Sequence, residues 1–189
     1  MEILMKLLTF LSIFTLFSLT TPGLALGMES TKPVIPFEEY QVLDFNPERD
    51  MPEIYPMFQA DWDHLYVGKP YDPSIVDAIM QVVPDSSKST KVLRYLEKTI
   101  AFINYYKNPK QLYLDTGALA RPYQRLGILT HFMPALLKEA QAMDADHLNI
   151  YVEKTNEGML KVCNRFGFEI VNDQMFKGKA YELKKFLKK

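Results

Sequence analysis

The stretch PYQRLGILTHF, residues 122–132, sets one glycine, Gly127, between a basic residue and a long apolar run. A helix opening at such a turn points unpaired N–H groups outward, and its dipole favours anions there. Phosphate chemistry suits that arrangement. Gly127 allows close backbone approach, and Arg121 and Arg125 can add charge-assisted contacts. The same residues also read as a plain helix start with solvated arginines, and the loop by itself leaves both readings open. Just upstream, QLYLDTGALA carries a carboxylate, Asp115, and a phenol, Tyr113. On a strand, Tyr113, Asp115, Gly117 and Leu119 share one face by the period of two. The lone thiol, Cys163, reads first as a small buried hydrophobe. Its second reading is a weak acid with a reference pKa of about 8.5.

Other chemistries find no residues. One cysteine rules out an intrachain disulfide and a multi-cysteine zinc site. His64, His131 and His147 are scattered without ligand spacing, so no metal is expected. There is no G-x-S-x-G elbow and no G-x-x-x-x-G-K-[ST] loop. A net charge of −1 argues against a general nucleic-acid binder. The lysine-rich end ELKKFLKK reads as a solvated face.

The first residues differ from the rest. Lys6 precedes an apolar stretch from Leu7 to Leu19, followed by Pro22 and a small-residue site at Ala25–Gly27. That is the layout of a secretory signal peptide, so export is the favoured expectation. An uncleaved anchor and a start at Met28, which would make the protein cytoplasmic, are the alternatives. The expected organisation is a signal or hydrophobic segment over 1–27, a short linker over 28–36 and one domain over 37–189.

The elements that must position the loop follow from periodicity. Residues 36–45 read as a strand. NPERDMPEIYPMFQADW reads as a helix capped by Asp50, with Pro52 in its first turn. YDPSIVDAIMQVV reads as a second helix with Ile75, Ala78, Ile79 and Val82 on one face. Strands are expected in KVLRYLEK, TIAFINYYK and QLYLDTGALA, the last ended by Pro122. A helix is expected from Gly127 to Met143, then a strand in HLNIYVE, a short helix in NEGMLKVCNRF and two final strands. The order β-α-α-β-β-β-α-β-α-β-β implies an α/β sandwich around one mixed sheet.

This order, with two linked segments, resembles the GNAT superfamily of acyl-CoA-dependent N-acyltransferases. LARPYQRLGILTHFMPALLKEA is similar to the family's acyl-CoA loop, [QR]-x-x-G-x-[GA], here Gln124, Arg125, Leu126, Gly127, Ile128 and Leu129. LNIYVEKTNEGMLKVCNRFGFE is similar to its strand, asparagine and short helix ending in Gly-Phe, here Asn156 and Gly167–Phe168. The resemblance implies an α/β GNAT fold: a single mixed, mostly antiparallel twisted sheet, a V-shaped splay between the fourth and fifth strands, and helices on both faces. It implies acetyl-CoA as cosubstrate, its pyrophosphate on the loop and its thioester aligned by backbone near Leu119 and Ala120. Asn156 would contact the pantetheine arm, or cap the last helix, or both.

Two positions depart from the pattern. Leu129 stands where the family has Gly or Ala, so its side chain must turn into the core. Cys163 stands where many members place the tyrosine that protonates the departing thiolate. The base is open: Asp115 is the first candidate and Tyr113 a second polar group, with Tyr151 and Glu153 as alternatives. The expected activity is transfer of an acyl group, acetyl first, to a primary amine by direct attack in a ternary complex. An oxyanion would be stabilised by a strand-bulge N–H near Leu119. The alternative is a non-catalytic GNAT-fold module that binds acyl-CoA or another ligand, or an exported effector with Trp62, Tyr66 and Tyr71 as a partner surface. The acceptor is a small molecule or a protein, its pocket shaped by residues 50–83. Membrane contact is expected only through the N-terminal segment, and the assembly as monomer or homodimer.

Overall fold

The computed structural model describes residues 39–81 and 87–187. The N-terminal segment, the linker and Val82 lie outside the described residues. Strand β1 (Gln41–Asp44) leads to helices α1 (Pro47–Leu65) and α2 (Pro73–Met80). Strands β2 (Lys88–Tyr95), β3 (Lys98–Asn108) and β4 (Gln111–Leu119) follow. Two short 3-10 turns, Arg121–Tyr123 and Ile128–His131, lead into α3 (Phe132–Ala142). The chain ends with β5 (His147–Glu153), α4 (Glu157–Arg165), β6 (Glu169–Gln174) and β7 (Ala180–Phe186). The seven strands form one sheet in the order β1-β2-β3-β4-β5-β7-β6. Its pairings are antiparallel except β4 with β5. The crossovers β4–α3–β5 and β5–α4–β6 run the same way across the sheet, so right-handed connection places α3 and α4 on one face.

Side-chain parity sorts the core. Leu112, Leu114, Leu148, Ile150 and Val152 pack with Phe132, Met133 and Leu136 of α3 and Met159 and Cys163 of α4. The opposite face packs Val92 and Phe102 against Ile54, Met57, Phe58 and Trp62 of α1 and Val76 and Met80 of α2. Trp62 and Tyr66 are buried and stack at 4.2 Å. The partner surface expected of them is therefore core, and only Tyr71 stays half-buried.

The N-terminus of α1 differs from expectation. Its cap is Asn46, whose side chain accepts from Arg49 N at 3.0 Å, so the helix begins before Asp50. Asp50 is fully buried. It accepts from Asn46 N at 2.7 Å, from Arg49, from Arg94 Nη1 at 3.1 Å and from the Thr99 hydroxyl at 2.6 Å. Burial alone would raise its pKa, but these hydrogen bonds and the Arg49 charge hold it below the ordinary carboxylate value. One carboxylate thus pins α1 to β2 and β3. In α2 the buried stripe is Val76 and Met80, with Ala78 exposed, one position off the expected face. Lys88 Nζ and Asn104 Nδ2 both donate to Ile79 O and close its C-terminal end.

Candidate functional site

Strands β4 and β5 pair only from Gln111↔His147 to Leu114↔Ile150. Beyond that β4 keeps its β3 partner through Leu119, and β5 keeps its β7 partner through Glu153. The two strands therefore splay, and each presents an unpaired edge to the gap. A β4 bulge at Asp115–Thr116 lies opposite Asn104, between the pairs Tyr105↔Leu114 and Ile103↔Gly117. It inverts the face of every later side chain. Leu119 packs with the α3-side core, whereas Ala118 packs with the α1-side core. Leu119 thus does not share a face with Tyr113, contrary to the strict period of two. The bulge also lies upstream of Leu119 rather than beside it.

The main chain at the end of β4 still faces the gap. Ala120 N donates to Ile100 O at 2.8 Å, toward β3. Successive N–H groups of a strand alternate, so Leu119 N–H points to the splay. The Leu119 carbonyl on that side accepts from Gln124 Nε2 at 3.2 Å. Gln124 is thus tied to the strand end. Arg121 donates to Ala60 O and lies 3.2 Å from Asp61, so it braces α1 rather than the loop. A cavity of about 320 Å³ lies behind this brace, lined by Pro52, Met57 and Ala60 of α1 and by Thr99, Leu119 and Tyr123.

The helix expected from Gly127 starts in earnest at Phe132, because residues 128–131 take the tighter 3-10 geometry. Pro134 consequently falls in the first turn of α3, where it breaks no hydrogen bond. Arg125 (φ 65°) and Gly127 (φ 74°) both take left-handed conformations. A Cβ on Gly127 would meet nothing within 4 Å. Glycine there answers to its φ and to open space in front of it, not to packing inside the chain. Among the described residues, N–H groups of Arg125 through Leu129 have no protein acceptor. Leu126 and Leu129 lean on the α3-side core and Ile128 is buried in it, so their side chains leave the N–H groups accessible.

Asn156 closes the other side of the gap. Its Oδ1 accepts from Met159 N at 3.0 Å and caps α4. The side chain is 2% exposed, and its Nδ2 is buried with no hydrogen-bond partner among the described residues. A buried orphan donor is costly unless a ligand acceptor meets it. An amide-rich arm of pantetheine type, lying along the unpaired strand edges, supplies such acceptors. The residues present therefore fit coenzyme A.

The polar candidates separate. Tyr113 lies on the α1/α2 side of the sheet, stacked on Tyr106 at 6.1 Å and edge-on to Tyr151 at 5.6 Å. Asp115 is buried on the bulge and accepts from Thr116 Oγ1 at 3.1 Å. Its charge also acts on Lys88, whose pKa burial lowers. Cys163 lies on the opposite side, fully buried, with burial pushing its thiol up to about 12. A thiol so buried is harder to ionise than an exposed one and makes a poor proton donor. Its packing among core residues favours the small-hydrophobe reading over the acid. Among the described residues no group of three His, Cys, Asp or Glu side chains could hold a metal ion.

This geometry agrees with the comparisons. The model of the acetyltransferase (GNAT) family matches residues 45–168. The chain belongs to the GNAT family. A 70-residue segment is 31% identical to the N-alpha-acetyltransferase 50 of Danio rerio, covering 36% of this chain and 42% of that protein. The chain thus matches less than half the length of that relative. Among solved structures, Ard1 from Thermoplasma volcanium superposes with a TM-score of 0.62 at 16% identity, over 80% of this chain and 99% of that one. A GNAT family acetyltransferase from Elizabethkingia anophelis with acetyl-CoA bound gives 0.59 at 15% identity, over 79% and 99%. These likenesses are to the overall fold.

Sequence reasoning missed three groups on the open side of the splay: Asn149, Phe176 and Glu182. Asn149 was readable, since HLNIYVE alternates and its apolar members leave Asn149 and Tyr151 together on the other face. Phe176 was not, because only the β6–β7 turn brings its ring to Tyr151, at 5.7 Å.

Proposed function

We propose that the chain is an N-acyltransferase that moves an acyl group, acetyl first, from acyl-CoA to a primary amine within a ternary complex. The observation that carries this reading is the splay itself. Two unpaired strand edges run from Leu114/Ile150 to a loop with unused N–H groups, beside the orphan amide of Asn156. Residues 125–129 would hold the pyrophosphate through backbone N–H groups, with Arg125 exposed alongside. Asn156 Nδ2 and the Leu119–Ala120 backbone would align the arm. Bound acyl-CoA supplies an activated carbonyl carbon. The amine attacks it, and charge gathering on the carbonyl oxygen is met by the Leu119 N–H that faces the gap; the acyl C–S bond then breaks, and the departing thiolate takes its proton from solvent. Proximity supplies much of the rate. Asp115, on the bulge, is the proton acceptor this reading assigns, with Tyr113 beside it on the same strand. From the N-terminal segment alone we further propose export, checked by mass spectrometry of the mature N-terminus from the native source.

Calorimetry with acetyl-CoA tests the loop. Gly127→Glu puts a carboxylate into the open space and should weaken binding at least a hundredfold. Equal binding by wild type and variant would sink the assignment. Single-turnover transfer across a panel of amines then separates an enzyme from a binding module.

A further inference from the structure

The loop after β4 makes only local hydrogen bonds among the described residues. Tyr123 N donates to Ala120 O at 2.9 Å, and Gln124 N to Arg121 O at 3.2 Å. Gln124 Nε2 donates to Leu119 O at 3.2 Å. Thr130 N and Oγ1 both donate to Gly127 O, at 3.1 and 2.6 Å. None of these bonds reaches past the end of β4. Between them Arg125 and Gly127 are left-handed, which for Arg125 is a costly conformation. A segment that keeps its N–H groups open has few bonds with which to hold its own shape, so packing has to impose it.

A file of rings does so. Tyr123 opens the loop and His131 closes it. Tyr123 meets Tyr95, the last residue of β2, edge-on at 6.1 Å and 72°. Tyr95 meets Tyr40 at 5.4 Å and 41°. Tyr40, just before β1, meets His131 at 4.7 Å and 40°. All four residues are half-buried, and the three tyrosines pack on the α3-side core. These separations are those of rings in direct contact, so the file leaves no room for a ligand between its members. Burial lowers the His131 pKa, so its ring packs as neutral imidazole near pH 7. The two middle rings are fixed independently of the loop. β1 pairs with β2 from Gln41↔Arg94 to Asp44↔Lys91, and this register sets Tyr40 beside Tyr95.

We propose that Tyr40 and Tyr95 are positioning residues of the acyl-CoA loop. Through them the file Tyr123–Tyr95–Tyr40–His131 joins the two ends of the loop and presets the N–H groups of residues 125–129 for an anion. Neither tyrosine needs to touch the ligand. The inference rests on the acyl-CoA reading of the loop. A loop set before binding loses less freedom when the pyrophosphate arrives. A loop that is set for only a fraction of the time weakens the apparent affinity by that fraction. Saturating ligand sets the loop again, so the effect falls on acetyl-CoA KM and not on kcat.

The test uses the full chain and Tyr40→Leu, which keeps apolar bulk but removes the ring. Its acetyl-CoA Kd by calorimetry, and its acetyl-CoA KM, should rise at least fivefold. The acceptor KM, and kcat at saturating acetyl-CoA, should stay within twofold. Tyr40→Phe restores the ring and should bind within twofold of wild type. Amide exchange reads the joint without turnover. The Tyr123, Gln124 and Thr130 amides should exchange at least fivefold faster in free Tyr40→Leu and slow again on saturation with acetyl-CoA. Tyr95→Leu supplies the same readings if Tyr40→Leu misfolds. A folded ring variant with unchanged acetyl-CoA Kd overturns the proposal, as does faster exchange spread through the sheet rather than confined to the loop. A wild type that binds no acetyl-CoA removes the ligand reading of the loop, and the exchange rates of the free proteins still decide whether the rings hold it.

Discussion

The two halves of the sheet are built differently. From β1 to β4 both faces are covered, by α1 and α2 on one side and α3 on the other, and Asp50, fully buried, is tied by partners from α1, β2 and β3. From β5 to β6, among the described residues, only the α4 face is covered. β6 is exposed along its whole length, and the open face carries Asn149, Tyr151 and Glu182. In the first half the polar groups around Asp50 are satisfied internally, while the Tyr66 hydroxyl, buried at the end of α1, has no hydrogen-bond partner among the described residues. In the second, Asn149 Oδ1 and Asn156 Nδ2 are left over, one on each side of the β5 strand and its following helix. Leftover hydrogen-bonding capacity is destabilising in the free protein. At Asn149 and Asn156 it lies next to the splay, in contrast to the internally satisfied network around Asp50.

The largest expected effect lies in the covered half. Asp50→Ala leaves Arg94 buried without its carboxylate and should cost about 3–5 kcal/mol in urea unfolding. The acid side of the profile sharpens this. The folded pKa of Asp50 is lowered, so the unfolded chain takes up the proton first as pH falls. Its contribution is fully present above the unfolded value of about 3.9 and is lost as pH drops through the folded value. Wild type should lose stability steeply below about pH 4, and Asp50→Asn should show a flatter acid limb. Equal slopes would mean that the buried carboxylate is not the anchor of α1.

Much of this division was legible in the sequence, for identifiable reasons. Alternation in β5 and helical spacing in α3 come from burial on one side, whereas β3, buried on both faces, showed as a continuous β-rich run, so the element order was readable. The loop was legible because a left-handed Gly127 before a helix start leaves few other residues possible. The Asn46 cap was hidden by Asp50, an equally good cap residue whose carboxylate is buried by partners distant in sequence, Arg94 and Thr99. The β4 bulge had one local sign, Gly117 inside a strand pattern. Its effect on side-chain facing depends on register with β3, which no local pattern reports. The Cys163 environment likewise depends on how α4 meets β5.

Cys163 tests the same division with a smaller effect. Cys163→Ala deletes one buried sulfur from the covered side and should lower stability by about 1–2 kcal/mol. Turnover of amine acceptors should stay within twofold. Tyr151→Leu on the open side should do the reverse, with little change in urea midpoint and a raised acceptor KM. A Cys163→Ala enzyme with intact stability and lost turnover would return the thiol to the chemistry.

The smallest effect compares two turns that share a strained geometry. Leu96 (φ 45°) joins β2 to β3 in the covered half, and Lys177 (φ 62°) joins β6 to β7 in the open one. Leu96 is 70% exposed, so glycine there relieves the left-handed strain at little loss of packing. Leu96→Gly and Lys177→Gly should each stabilise by up to about 1 kcal/mol, read as a rise in melting temperature. They should differ in function. The β2–β3 turn aims no ring at the splay, so Leu96→Gly should leave acceptor KM unchanged. Glycine at 177 lets the turn relax and frees Phe176 from Tyr151, so Lys177→Gly should raise acceptor KM severalfold while acetyl-CoA KM holds. The two hairpins share one turn conformation, so a difference in acceptor KM between the variants comes from the ring that the second turn holds against Tyr151.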